Sequence, residues 1–142
     1  MCITDRSARL LSYYDNVKHL FALSSPWAGS RTAKWLSLVF RQSKLFATMT
    51  PGSAFLTSIA NTNSEIPITN IITAGTSSGN ALAGLGSSPN DGLLTIETQT
   101  KVPVGFVNKE NITVDLSHNE VLLSMDIVNL IKERVFDDYN RD

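Results

Sequence analysis

Short apolar runs alternate along this chain with segments of helical period, and no hairpin signal joins one run to the next. Antiparallel strands can be linked by tight turns, whereas parallel strands need a crossover, usually a helix. The pattern therefore predicts an α/β fold: a mostly parallel sheet of few strands flanked by helices. Residues 17–23 (VKHLFAL) are short, apolar and bounded by polar turns, as expected of a strand buried on both faces. Ser24-Ser25-Pro26 marks its end. Residues 66–74 (IPITNIITA) are rich in β-branched side chains and form the second strand candidate. Residues 102–107 and 112–116 are further extended candidates.

Helical signals fall between these runs. Residues 4–14 carry Leu10, Leu11 and Tyr14 at helical spacing, and Asp15-Asn16 stops them. Ser30 is a candidate N-cap for a helix through Trp35, Leu38 and Val39. Residues 51–59 open on Pro-Gly and continue through Phe55, Leu56 and Ile59. At the end, residues 120–136 place Val121, Met125, Val128, Ile131 and Val135 on one face of an amphipathic helix. Between the second strand and the third lies GTSSGNALAGLGSSPNDG, which reads as loop. No repeat or linker divides the 142 residues, so residues 1–142 read as a single domain or part of one. A sheet of three or four strands leaves an edge open, and pairing of that edge with another chain is one expectation.

Several function classes are excluded by composition. A formal charge of −1 offers no basic footprint for nucleic acid, and the cluster Lys18, Arg31, Lys34, Arg41 and Lys44 reads as a solvated face. Cys2 is the sole cysteine, so no internal disulfide can form, which suits a reducing compartment. Two histidines and one thiol give no metal-ligand spacing. No apolar stretch has the length of a membrane span, and no secretion signal opens the chain. The glycine-rich loop lacks a following Lys-Ser/Thr and the Gly-x-Gly-x-x-Gly order, so no nucleotide cofactor is expected.

Two short segments carry the chemistry. Asn90-Asp91-Gly92 ends the glycine-rich loop and Ser117-His118 follows a strand candidate, and sites in open α/β sheets gather at the carboxyl ends of strands. An acid followed by a histidine, here 27 positions later, is the chain order of Ser…Asp/Glu…His hydrolases. The histidine would take a nucleophile's proton and return it to the leaving group, and the aspartate would fix the ring's tautomer. Spacing alone also fits an ordinary turn aspartate and a histidine beside a helix N-cap.

Five segments, in order, resemble bacterial triacylglycerol lipases and the related lecithin–cholesterol acyltransferase-like enzymes. VKHLFALSSPWAGS is similar to the strand after the nucleophile helix, ending in the turn Ser25-Pro26-Trp27-Ala28-Gly29-Ser30. MTPGSAFLTSI resembles their Pro-Gly-Ser-x-Phe-Leu segment, and IITAGTSSG their penultimate strand and the loop after it. SSPNDGLLTIETQ resembles the loop of the triad acid, with Asp91 at the acid's place, and VDLSHNEVLLS the final strand, with His118 at the histidine's place. The likeness covers roughly residues 17–136 and implies the C-terminal half of an α/β-hydrolase fold. It further implies a carboxylic (lipid or acyl) ester as substrate and an acyl-enzyme route without metal or cofactor. Trp27 stands where the lipases carry histidine, which keeps acyl transfer as an alternative to hydrolysis.

The departure is at the front. A Gly-x-Ser-x-Gly elbow is expected just ahead of RSARLLSYYDN, which resembles later turns of the nucleophile helix, so residues 1–16 read as that helix's remnant. Met1 to Asp5 hold no elbow, and the expectation is a truncated, inactive fragment; a non-catalytic remnant or interaction module is the alternative. Gly75-Thr76-Ser77-Ser78-Gly79 matches the elbow pattern literally. However, NALAGLGSSPN after it is a poor helix, so Ser77 reads as a loop serine. His19 reads as structural or as an exposed strand end. Trp27 and Trp35 suit either core packing or an acyl-chain pocket, and Glu120 suits first-turn helix chemistry better than the acid's role.

Overall fold

The computed structural model describes residues 17–39, 44–61, 63–75, 89–106 and 108–139. Its centre is β2 (Ile68–Thr73), all six of whose residues are buried. β1 (Leu20–Leu23) runs parallel along one side with Leu20 opposite Ile68, and β3 (Lys109–Val114) runs parallel along the other with Lys109 opposite Ile68. The strand order is β1-β2-β3. Between β1 and β2 lie α1 (Arg31–Val39), α2 (Lys44–Thr48) and α3 (Ala54–Ala60); between β2 and β3 lies α4 (Ile96–Thr100). A 3-10 turn, Glu120–Leu122, and then α5 (Met125–Tyr139) follow β3. The fold is α/β with a parallel sheet.

Helices cover both faces because β2 has apolar residues on both. Ile68 and Ile71 are three apart in a strand and so project to opposite sides. Ile68 joins Leu20, Ala22, Trp27, Ile59, Val102 and Phe106 in one core, with Phe55 and Ile66 packed against it. Ile71 joins Val121 and Ile127 in the other, backed by Leu23, Val114, Leu116, Leu130 and Ile131. Burying each isoleucine of β2 contributes on the order of 1.5–3 kcal/mol.

Local chemistry sets the helix starts. Ser30 caps α1, its Oγ accepting the Ala33 amide at 3.2 Å. Ser53 does the same for α3 through Leu56 and Thr95 for α4 through Thr98. The turn out of β1 closes tightly: Gly29 sits at φ 82°, donates to the Pro26 carbonyl, and lies against the backbone of Pro51. A Cβ there would stand 2.7 Å from Pro51 N, so glycine is required twice over.

Some expectations are corrected. Residues 102–106 form no strand: they run as coil and turn, pack Val102 and Phe106 against the sheet through side chains, and pair their backbone only in an isolated bridge from Phe106 to Ser64. Pro103 removes a ladder donor there, and residue 107 lies outside the described set. The helix expected over residues 120–136 is two elements, because Leu123 N closes onto Glu120 O in a 3-10 turn and Ser124 O then receives the Val128 amide of the new helix. The last strand spans Lys109–Val114 rather than residues 112–116, and α4 was not foreseen. The helix expected over residues 4–14 lies outside the described residues. Among those residues no helix is long and apolar enough to cross a membrane.

Candidate functional site

The carboxyl ends of β1, β2 and β3 bring the site together. Beyond β3, the Gly75 amide holds the Leu116 carbonyl and the His118 amide holds the Asp91 carbonyl at 2.9 Å each, so backbone bonds tie the histidine segment both to the end of β2 and to the aspartate loop. That loop turns on Gly92, at φ 96°, with its amide donated to Asn90 Oδ1. The turn projects the Asp91 side chain inward, where it is fully buried.

Asp91 and His118, singled out from the sequence, are partners here. His118 Nδ1 lies 2.9 Å from Asp91 Oδ2, and the histidine side chain stays 20% exposed. The two carboxylate oxygens serve different groups. Oδ1 accepts the amides of Leu93 (2.9 Å) and Leu94 (2.7 Å), an Asx turn. Oδ2 accepts the Thr73 hydroxyl at 2.6 Å and His118 Nδ1, with Gln99 Nε2 at 3.3 Å. Burial by itself pushes the Asp91 carboxyl up; the bonds from His118, Thr73 and the Leu94 and Leu93 amides outweigh it and hold the group below its ordinary value.

Protonation follows from that donor set. An ionised carboxylate only accepts, so the Nδ1 facing it carries the proton and Nε2 of the neutral ring keeps its lone pair. Among the described residues Nε2 has no hydrogen-bond partner, and the ring's exposure leaves a route to it. The arrangement can accept a proton at Nε2 while Asp91 stabilises the cation formed.

Other nominated residues fall into structural roles. Glu120 reaches back to accept the Ser117 amide at 2.8 Å, across the turn that starts at His118. The Ser117 side chain and then its amide, both directed at Glu120, lower that carboxyl from its ordinary value. Trp27 is core: it packs on Phe106 and donates its indole N–H to Asn70 Oδ1 at 3.0 Å. His19 stacks on Phe21 and meets the Thr69 hydroxyl at 2.9 Å. Ser77 and the side chain of Trp35 lie outside the described residues.

Sequence reading missed Ser24, Thr73 and Gln99, which surround the acid. Ser24 and Thr73 follow or end β1 and β2, so a search for polar residues at the carboxyl ends of strands would have found both. Gln99 gave no signal, since nothing in IETQT marks its glutamine as buried. Among the described residues no group of three or more His, Cys, Asp or Glu could hold a metal. An open depression of about 610 Å³ lined by Asn129, Lys132, Glu133 and Phe136 of α5 includes neither Asp91 nor His118. Compared with known proteins, the chain matches no family model, no curated protein and no solved structure.

Proposed function

We propose that Asp91 and His118 are the acid and the base of a serine-hydrolase-type triad whose substrate is a carboxylic ester of a lipid or other acyl group. The observation that carries this reading is the 2.9 Å contact of a buried carboxylate with Nδ1, with Nε2 turned away from it. In such a reaction Nε2 takes the proton of an attacking hydroxyl as the acyl-enzyme forms, then returns it to the leaving alcohol. A water activated by the same nitrogen completes hydrolysis; an alcohol in its place would complete acyl transfer. Leu122, Leu123 and Met125, all exposed just beyond His118, would offer apolar surface to an acyl chain.

Among the described residues no hydroxyl reaches Nε2, and under this reading the nucleophile is a Gly-x-Ser-x-Gly serine borne by a separate polypeptide. The 142 residues alone are accordingly expected to turn over a short-chain nitrophenyl ester no faster than buffer, because triad members act as a unit. Adding a polypeptide that bears a Gly-x-Ser-x-Gly elbow should restore turnover that His118→Ala abolishes. Turnover insensitive to His118→Ala, with or without that polypeptide, would sink the proposal.

A second reading is favoured by the same exposed leucines: a non-catalytic module that joins another chain. Leu93, Leu122, Leu123 and Met125 are 40–85% exposed, more apolar surface than a fully solvated turn requires. Charged Lys109 and Glu110 on β3 disfavour pairing at that edge. Sedimentation across a concentration series separates the readings, since a monomer at all concentrations counts against self-association.

A further inference from the structure

We propose that Thr73 and Gln99 are positioning residues that hold Asp91 Oδ2 as the acceptor of the His118 Nδ1–H, with Ser24 aiming the Thr73 hydroxyl. The inference rests on reading Asp91 and His118 as a catalytic dyad, and adds what sets its geometry and tautomer.

The argument is one of proton counting around a single oxygen. Thr73 Oγ1 has one proton, and its shortest bond to an oxygen that can only accept is the 2.6 Å contact with Asp91 Oδ2. Ser24 Oγ also sits against Thr73 Oγ1. With the Thr73 proton spent on Asp91, the hydroxyl of Ser24 must be the donor in that pair. Ser24 therefore occupies a Thr73 lone pair, and of the two acceptors left to the threonine hydroxyl the carboxylate oxygen at 2.6 Å is closer than Gln99 Oε1 at 3.2 Å and carries charge. Chains of this kind polarise one another and strengthen the last bond.

Gln99 secures the other end of the threonine. Its Oε1 accepts the Thr73 amide at 2.9 Å and its Nε2 donates to the Thr73 carbonyl at 3.0 Å, so the side chain pairs with the last residue of β2 as a further strand would. The same Nε2 points a proton at Asp91 Oδ2. Gln99, Thr73 and Ser24 are all 0–1% exposed. Thr73 and Gln99 thus converge on one carboxylate oxygen, with Ser24 behind the threonine, and that oxygen is the one facing His118.

The backbone is distorted at the outer member. Ser24 has φ 44°, the left-handed region, although a serine gains nothing there that glycine would not supply without strain. What serine supplies is the hydroxyl. Strain of this sort persists where the surroundings over-determine it, and it clusters at functional sites.

The test reads the His118 tautomer in the full chain by nitrogen-15 NMR, at a pH where the ring is neutral. The wild type is expected to show the Nδ1–H form. Thr73→Val and Gln99→Leu should each let the Asp91 carboxylate rotate off Nδ1 and so shift the ratio about tenfold toward Nε2–H, the scale of one bond to a charged group. Thr73→Ser should restore it. Because emptying a buried polar site can unfold the chain, Ser24→Gly is the companion variant: glycine suits φ 44°, so Tm should hold while the ratio moves in the same direction. Asp91→Asn separates the two claims. If Asp91→Asn leaves the tautomer unchanged, the dyad itself fails. If Asp91→Asn inverts it while folded Thr73→Val, Gln99→Leu and Ser24→Gly proteins keep the wild-type ratio, only the positioning role fails.

Discussion

Replacing Asp91 by asparagine keeps the shape of the side chain and removes only its charge and its ability to titrate. The amide oxygen can take the place of Oδ1 and keep the Leu93 and Leu94 amides. The amide nitrogen then stands where Oδ2 met three donors, and each must adjust. The Thr73 hydroxyl can turn to Gln99 Oε1 at 3.2 Å, Gln99 Nε2 keeps the Thr73 carbonyl, and His118 can switch tautomer and accept. No donor need be orphaned, so the cost is the charge assistance of several bonds less the relief of desolvating a carboxylate, about 1–2 kcal/mol at pH 7. The pH dependence is more diagnostic than the size. Asp91 has a folded-state pKa below its unfolded one, so its contribution is full above the unfolded value and is lost as pH falls through the folded value. Asparagine cannot titrate. The gap between wild type and Asp91→Asn in urea unfolding should therefore be widest near neutrality and close in acid, where the protonated aspartic acid also presents a donor. A gap under about 0.5 kcal/mol at pH 7, or one that does not narrow in acid, would refute the account of the five-donor site.

Two further outcomes follow from the packing around that site. Gly29→Ala must bring a Cβ to 2.7–2.8 Å from Pro51 N, Pro51 Cα and Leu56 Cδ1 at φ 82°, whereas Gly52→Ala at φ 76° meets open space. The first should cost about 3 kcal/mol from strain plus overlap and the second about 1 kcal/mol from strain alone, read as a difference in urea midpoint. Asn70→Leu would strip partners from the Trp27 indole N–H, the Gln99 carbonyl and Asn111 Oδ1, a loss of about 3 kcal/mol together with a change in near-ultraviolet circular dichroism; an unchanged midpoint would count against the buried amide's role.

The sheet was legible because its signal is cumulative. Six consecutive residues of β2 are buried, and a β-branched run between polar turns announces that without knowledge of its neighbours. The strand expected over residues 102–107 failed for the opposite reason. Val102 and Phe106 are buried as a strand's residues would be, but Pro103 and a turn at Val104-Gly105 carry them into the core from a loop. Burial and extended pairing are separate properties, and an apolar run reports only the first. The acid and histidine could be nominated from chain order; Ser24 and Thr73 are marked only as polar residues at strand ends, and Gln99 carries no mark at all. Their joint role depends on residues 49 and 26 positions apart, from two strand ends and from α4, meeting at one end of the sheet.

Asp91 and His118 each have an ordinary structural duty, which is why spacing alone left them ambiguous. The aspartate closes an Asx turn through Oδ1, and the Glu120 carboxylate holds the Ser117 amide across the turn that begins at His118. Those duties account for Oδ1 and for the backbone of residues 117–120, and for nothing else. A turn aspartate can leave its second oxygen in water at no cost. Here that oxygen is buried, a choice that is unfavourable unless donors replace the lost hydration. Thr73, Gln99 and His118 supply those donors, and Ser24 adopts a left-handed backbone beside them. Only the Oδ2 side requires the imidazole, and there the imidazole is held by Nδ1 with Nε2 left for a proton. The catalytic reading thus rests on one oxygen whose surroundings the fold alone does not demand.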